Sequence, residues 1–307
     1  MHKLKLLYTR VAVMLLLVIC VVTTANSQKL ERPKLVVGIV VDQMRYDFLY
    51  RYWDKYSDGG FKRLMREGFN FKNTHYNYAP TYTGPGHASI YTGTYPAIHG
   101  IVGNDWFVRG TDRNIYCTED RGVTCIGADT DAGKMSPANL LTTTVTDELR
   151  LATNQGAKVI GVCLKDRGSI LPAGHAANAA YWYDGSTGNW ISSSFYMKEL
   201  PKWVEQFNKK KLPAQYLNQD WETLLPLKQY TESTPDENTY EGAFKGQKKA
   251  VFPYKLKELR GNSYDLLRST PFGNTFTKEF AIAAIEEEKM GKGNFTDFLT
   301  LSFSSTD

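Results

Sequence analysis

Charge imbalance, cysteine and long apolar runs are all scarce in this sequence, and each scarcity excludes something. Lys and Arg number 37 against 32 Asp and Glu, a formal charge of +5. Three of those basic residues, Lys3, Lys5 and Arg10, stand at the extreme N-terminus, and without them the charge is only +2. The one basic run that stands out, Lys209-Lys210-Lys211, is short enough to be a solvated face. Nucleic acid as a bound partner therefore has no support. The four cysteines have no spacing that suits a tetrahedral zinc site. Cys117 and Cys125, in a Gly- and Asp-rich stretch, could close a small disulfide in an oxidising compartment. Cys163 sits in an apolar strand pattern and reads as a core residue. The longest apolar run, Val11 to Val22, falls short of the about 20 residues needed to span a bilayer.

That run does fit an export leader. Basic residues precede it and the small-residue site Ala25-Asn26-Ser27 follows, so cleavage is expected just before Gln28, with residues 1–27 as the signal peptide. Val18-Ile19 ahead of Cys20 argues against a lipoprotein anchor. The expected location is periplasmic or secreted, with no stable membrane anchor.

The remainder, 28–307, alternates short apolar runs with helical patterns, which predicts an α/β fold with a mostly parallel central sheet flanked by helices. Leu35 to Val41 reads as a first buried strand ending at Asp42. A helical stretch follows from about Arg45 to Glu67, interrupted near Gly59-Gly60 and closed by Gly68. Ser136-Pro137 predicts the start of a helix running to about Asn154. Val159 to Leu164 predicts a strand that ends at Lys165-Asp166-Arg167. From about 176 to 270 the pattern changes to aromatic, Gly- and Pro-punctuated segments, read as an insertion with a hairpin around Asp184-Gly185. Its aromatics either line a cleft or form the insertion's own small core. A helix from about Thr277 to Met290 and a strand from Phe298 to Phe303 follow. A domain rarely stops just after a central apolar strand, so the chain is expected to be the N-terminal part of a longer domain.

Ligands in open α/β sheets bind at the carboxyl ends of the strands. Here those ends carry Asp42, the Lys165/Arg167 pair and Asp307. Between them lies Pro80-Thr81-Tyr82-Thr83-Gly84-Pro85-Gly86-His87, where a Gly-Pro-Gly turn ahead of a short helical run puts the Thr83 hydroxyl near a helix N-terminus. A threonine hydroxyl needs a base or a metal to become a nucleophile, and Asp42 is placed to hold a metal.

The segments Val37 to Asp42, Pro80 to His87, Thr92-Gly93-Thr94-Tyr95-Pro96 and His99 to Asn104 resemble the phosphodiesterase/nucleotide pyrophosphatase branch of the alkaline phosphatase superfamily, and most closely its phosphate-irrepressible bacterial alkaline phosphatases. The resemblance implies zinc-dependent hydrolysis of small phosphate monoesters through a phosphothreonine intermediate. It makes Asp42 and Thr83 ligands of one zinc, with Thr83 also taking the phosphoryl group. Asp307 becomes the first ligand of a second zinc, Asn104 an amide on a non-bridging phosphate oxygen, and Lys165 and Arg167 contacts to the substrate phosphate. The remaining ligands of the two Zn2+ ions, an Asp-His pair and two more histidines, are expected beyond Asp307; His87 and His99 read as structural. Two alternatives stay open: a phosphodiesterase or nucleotide pyrophosphatase, and a catalytically inactive secreted anion- or glycan-binding protein that keeps the fold. A sulfatase is disfavoured because that branch uses Cys or Ser where Thr83 stands.

Overall fold

The computed structural model describes residues 31–307 and Met14. The leader expected over 1–27 lies outside the described residues, Met14 apart. Ten strands run through the described chain: β1 (Leu35–Val41), β2 (Asp105–Val108), β3 (Arg113–Tyr116), β4 (Cys125–Ile126), β5 (Val159–Cys163), β6 (Ala179–Asp184), β7 (Asn189–Ser193), β8 (Asp220–Trp221), β9 (Tyr254–Lys255) and β10 (Asp297–Phe303). Six of them form one sheet in the order β1-β10-β5-β6-β7-β4. The first four are parallel, and β7 and β4 add antiparallel pairs. Among the described residues no helix is long and apolar enough to cross a membrane.

Apolar strands build most of the parallel part, with Thr300 and Ser302 interrupting β10. β5 is buried along its whole length, as a strand covered on both faces should be. β10 lies between β1 and β5, the central position its composition predicts. β1 departs from expectation. It is the outer strand of this sheet, paired only with β10, and Val37 and Ile39 are 40% and 54% exposed. Composition alone cannot distinguish it from β5, because burial depends on sheet order.

Gly38 in the middle of β1 fixes the helix Thr83–Thr92 against the sheet. The Tyr91 hydroxyl donates to the Gly38 carbonyl at 3.0 Å, and a Cβ on Gly38 would meet that hydroxyl at 2.5 Å. Only glycine permits this approach without displacing the helix.

The helix expected from Ser136 begins later. Ser136 Oγ caps a local turn by accepting from the Ala138 N–H at 3.1 Å, and the helix itself spans Val145–Ala152. Thr144 and Asp147 close a reciprocal capping box there, and Asp147 also accepts from the Ala176 N–H at 2.7 Å.

β6 and β7 fall inside the segment read as an insertion, yet they join the central sheet, with the expected hairpin at Asp184-Gly185 between them. The part of that segment outside the sheet therefore starts after Ser193. Its first aromatics belong to the main core: the Trp190 ring stacks 4.3 Å from Phe280 and 5.2 Å from Phe276, both on the helix Pro271–Glu287. Trp221, Phe244, Phe252 and Tyr254 pack together around the separate β8–β9 ladder. The disulfide considered for Cys117 and Cys125 does not form; both thiols are free. Cys117 is buried beneath Gly84, whereas Cys125 packs against Gly133 on the far strand of the sheet.

Candidate active site

β1, β10 and β5 are parallel neighbours, so their carboxyl ends open on one edge of the sheet. Asp42 follows β1 directly, and its N–H donates to the Phe303 carbonyl at 2.9 Å. Asp307 follows β10 after a short turn. Lys165 lies just past β5. It and Arg167 do not end the strand as expected: Lys165 is the N-cap residue of the helix Asp166–Ala173, and Arg167 is in its first turn.

Of the six residues singled out by sequence, Asp42, Thr83, Lys165 and Asp307 are bonded directly to one another, Asn104 joins them through the Gly84 backbone, and Arg167 bonds Tyr116 instead. The Thr83 hydroxyl donates to Asp42 Oδ2 at 3.2 Å, and Lys165 Nζ donates to the same oxygen at 2.9 Å. Lys165 Nζ also bonds Asp307 Oδ2, so one ammonium sits between the two carboxylates. Asn104 Oδ1 accepts from the Gly84 N–H at 2.8 Å, which leaves its amide NH2 for another acceptor. A Cβ on Gly84 would lie 3.2 Å from that Oδ1 and 3.3 Å from Cys117 Sγ, so residue 84 has little room for a side chain. Arg167 Nη1 donates to the Tyr116 hydroxyl at 2.7 Å.

The Thr83 segment differs from the expected turn followed by helix. The helix starts at Thr83 itself, with Gly84-Pro85-Gly86 inside its first turn, where the proline's missing N–H costs nothing. Thr83 is buried and Thr81 is exposed.

Buried histidines brace this helix, as expected from their motif positions. His87 Nδ1 donates to the Thr83 carbonyl and Nε2 shares a hydrogen bond with Ser302 Oγ on β10, both at 2.8 Å; in the neutral ring Nε2 is the acceptor. Burial pushes the His87 pKa down and keeps it so. His99 Nδ1 accepts from the Ile101 N–H at 3.1 Å, and Nε2 donates to Ser89 Oγ at 2.9 Å. Burial lowers its pKa to about 4. The unfolded chain, with a His pKa of about 6.5, binds this proton first as pH falls. Stability is then expected to drop by up to about 1.4 kcal/mol per pH unit between about 6.5 and 4. Urea unfolding across that range should show this slope reduced in His99→Asn; an unchanged slope would remove His99 as its source.

The site's donors suit a divalent cation in part. Asp42 and Thr83 offer a carboxylate and a hydroxyl at one point, and Asp307 offers a second carboxylate across Lys165, whose ammonium already occupies the position where these acids attract positive charge. Among the described residues no three His, Cys, Asp or Glu converge as a metal-ligand cluster. The described residues thus offer separate donors on either side of Lys165 and not a closed ligand set.

Sequence reasoning missed Tyr116, Thr118 and Asp166. The Tyr116 hydroxyl donates to Asp166 Oδ1 at 3.0 Å and Thr118 Oγ1 donates to Asp166 Oδ2, so Asp166 is tied to the tyrosine that accepts from Arg167. Asp166 stood in the Lys-Asp-Arg tripeptide, but Tyr116 carries no motif signal.

Known proteins similar to this chain share its sequence and fold. Residues 36–307 match the type I phosphodiesterase / nucleotide pyrophosphatase family. A Myroides odoratus protein named calcium-transporting ATPase is 57% identical over 284 residues, covering 92% of this chain and 52% of that protein. Alkaline phosphatase PhoV of Synechococcus elongatus is 56% identical over 91% of this chain and 51% of its own length. Alkaline phosphatase PafA of Elizabethkingia meningoseptica is 51% identical over 92% of this chain and 52% of its own length. The crystal structure of wild-type PafA superposes with a TM-score of 0.89 over 91% of this chain and 54% of that one. This chain spans about half the length of the curated relatives it matches. With the match running through β1, the Thr83 helix and β10, the chain belongs to the type I phosphodiesterase / nucleotide pyrophosphatase family.

Proposed function

We propose that the protein is an exported hydrolase of small phosphate monoesters that works with two zinc ions through a phosphothreonine at Thr83. The observation that carries this reading is the Thr83 hydroxyl on Asp42 at a helix N-terminus, with Lys165 on that same carboxylate and Arg167 two residues on. Relatives named alkaline phosphatase support the hydrolysis of phosphate esters.

Asp42 and Thr83 would hold one zinc and Asp307 would begin the second site. Bound there, zinc supplies Lewis acidity that favours the alkoxide of Thr83 and neutralises charge on the leaving oxygen. The chain's own groups do the rest. The helix start favours negative charge at Thr83. The free amide NH2 of Asn104 and the guanidinium of Arg167 are donors for non-bridging phosphate oxygens. Lys165, which pairs with Asp42 and Asp307 here, is a mobile point charge able to turn to a phosphate dianion. A dianionic monoester gains more from these cations than a diester does, which sets this reading ahead of the phosphodiesterase alternative that the family name suggests.

Full-length protein should turn over p-nitrophenyl phosphate with a higher kcat/KM than bis-p-nitrophenyl phosphate. Chelation should abolish both activities and added zinc restore them. Turnover indifferent to chelation, or a diester preference in the zinc-loaded protein, would overturn the proposal.

A further inference from the structure

We infer that Tyr116, held by Asp166 and Thr118, is a positioning residue that keeps the Arg167 guanidinium open toward a phosphate dianion; this rests on the reading of Arg167 as a phosphate contact. The hydroxyl of Tyr116 accepts from Arg167 Nη1 at 2.7 Å and donates to Asp166 Oδ1 at 3.0 Å. The second oxygen of Asp166 is taken by Thr118 Oγ1, whose residue is fully buried. The Arg167 guanidinium carbon also lies 5.9 Å from the Tyr116 ring centroid. Both directions of the phenol bond are therefore committed, and the ring sits between acid and base.

The consequence lies in what this spacer prevents. Asp166 and Arg167 are adjacent in sequence and opposite in charge, and a carboxylate in direct contact would close on the guanidinium with two parallel bonds. With the phenol interposed, the carboxylate polarises the hydroxyl into a better acceptor, and only one guanidinium N–H is shown engaged on it. Burial pulls the Arg167 pKa down, but Tyr116 and Asp166 outweigh it and raise it, so the cation persists. The support is shared with the neighbouring amide. Cys117 N–H donates to the Asn104 carbonyl at 2.8 Å, and Asn139 Nδ2 reaches the carbonyls of Tyr116 and Cys117 at 3.3 and 3.2 Å. One braced hairpin, β2–β3, thus places both Asn104 and the residue that orients Arg167.

A double-mutant cycle on full-length protein tests this. Tyr116→Phe keeps the ring and removes the hydroxyl, and is expected to lower monoester kcat/KM by about 10- to 100-fold, the range for a hydrogen bond to a charged group. The diester rate should fall less, and inhibition by inorganic phosphate should weaken in parallel. In an Arg167→Ala background, Tyr116→Phe should cost nothing further. Asp166→Asn, which keeps the shape, should lower the monoester rate in the same direction. Urea unfolding of each variant separates a folding defect from a geometric one, and the cycle reads the coupling in either case. If Arg167→Ala loses activity while Tyr116→Phe and Asp166→Asn match wild type, the positioning role is wrong and the phosphate contact stands. Equal loss from Tyr116→Phe with and without Arg167 would likewise overturn it. If Arg167→Ala itself loses nothing, the phosphate contact fails and the positioning role falls with it.

Discussion

Thr83→Ala is expected to reduce monoester turnover of the full-length protein by at least about 10⁴-fold, whereas Thr81→Ala stays within a few-fold of wild type. The two threonines are separated by one residue, and sequence chemistry alone treats them alike. Their environments do not. Thr83 is buried at the start of its helix with its hydroxyl on Asp42, while Thr81 is exposed in the preceding extended segment. Thr83→Ser retains a hydroxyl at the same point and should keep measurable activity. Trapping of a phosphorylated enzyme at low pH, followed by peptide mapping, checks the assignment directly. Label on Thr81, or comparable losses in the two alanine variants, would place the nucleophile elsewhere.

Removing both cations should have the next largest effect. Each charge-assisted contact to a phosphate oxygen in a partly dry site is worth about 1.5 to 3 kcal/mol, so Lys165→Ala/Arg167→Ala is expected to lower monoester kcat/KM by about 10² to 10⁴-fold. The diester, with one anionic oxygen fewer, should lose much less. A general loss is also expected, because without Lys165 the carboxylates of Asp42 and Asp307 face each other with no ammonium between them. The monoester-to-diester ratio separates these contributions, since electrostatic disorder of the acids affects both substrates. A ratio unchanged from wild type would show that the pair sets no preference and would move the phosphodiesterase reading to first place.

Much of this geometry was legible in sequence for a specific reason. β1 and β5 are near-continuous apolar runs and β10 a mostly apolar one, and a parallel sheet carries their carboxyl ends to one edge, so polar residues following them are brought to the same edge. Thr83 announced itself through an unusual run of Gly and Pro. What could not be read was set by partners distant in sequence. The exposed flank of β1 depends on strand order, which no single strand encodes. Ser136 looked like a helix cap because the same hydroxyl chemistry also caps turns; the real start at Thr144 is decided by its reciprocal bonds with Asp147. Tyr116 met Asp166 only after the chain had folded across 50 positions, and an isolated hairpin tyrosine gives no hint of such a partner.

The pairing of β1 with β10 gives the two acids a spacing that neither side chain chooses. Asp42 is tied by its own N–H to Phe303, and the strands beneath are locked residue for residue from Leu35 opposite Asp297 to Val41 opposite Phe303. Interstrand distance in such a ladder is about 4.8 Å whatever the sequence, so the sheet acts as a ruler that sets Asp42 against the end of β10, where the turn to Asp307 begins. Drift in this ruler is quantised: a one-residue slip would turn every β10 side chain to the opposite face, so the end of β10, from which the turn to Asp307 departs, cannot move gradually along β1. Side chains standing above the ruler can change while the separation of Asp42 from the end of β10 remains a property of the backbone.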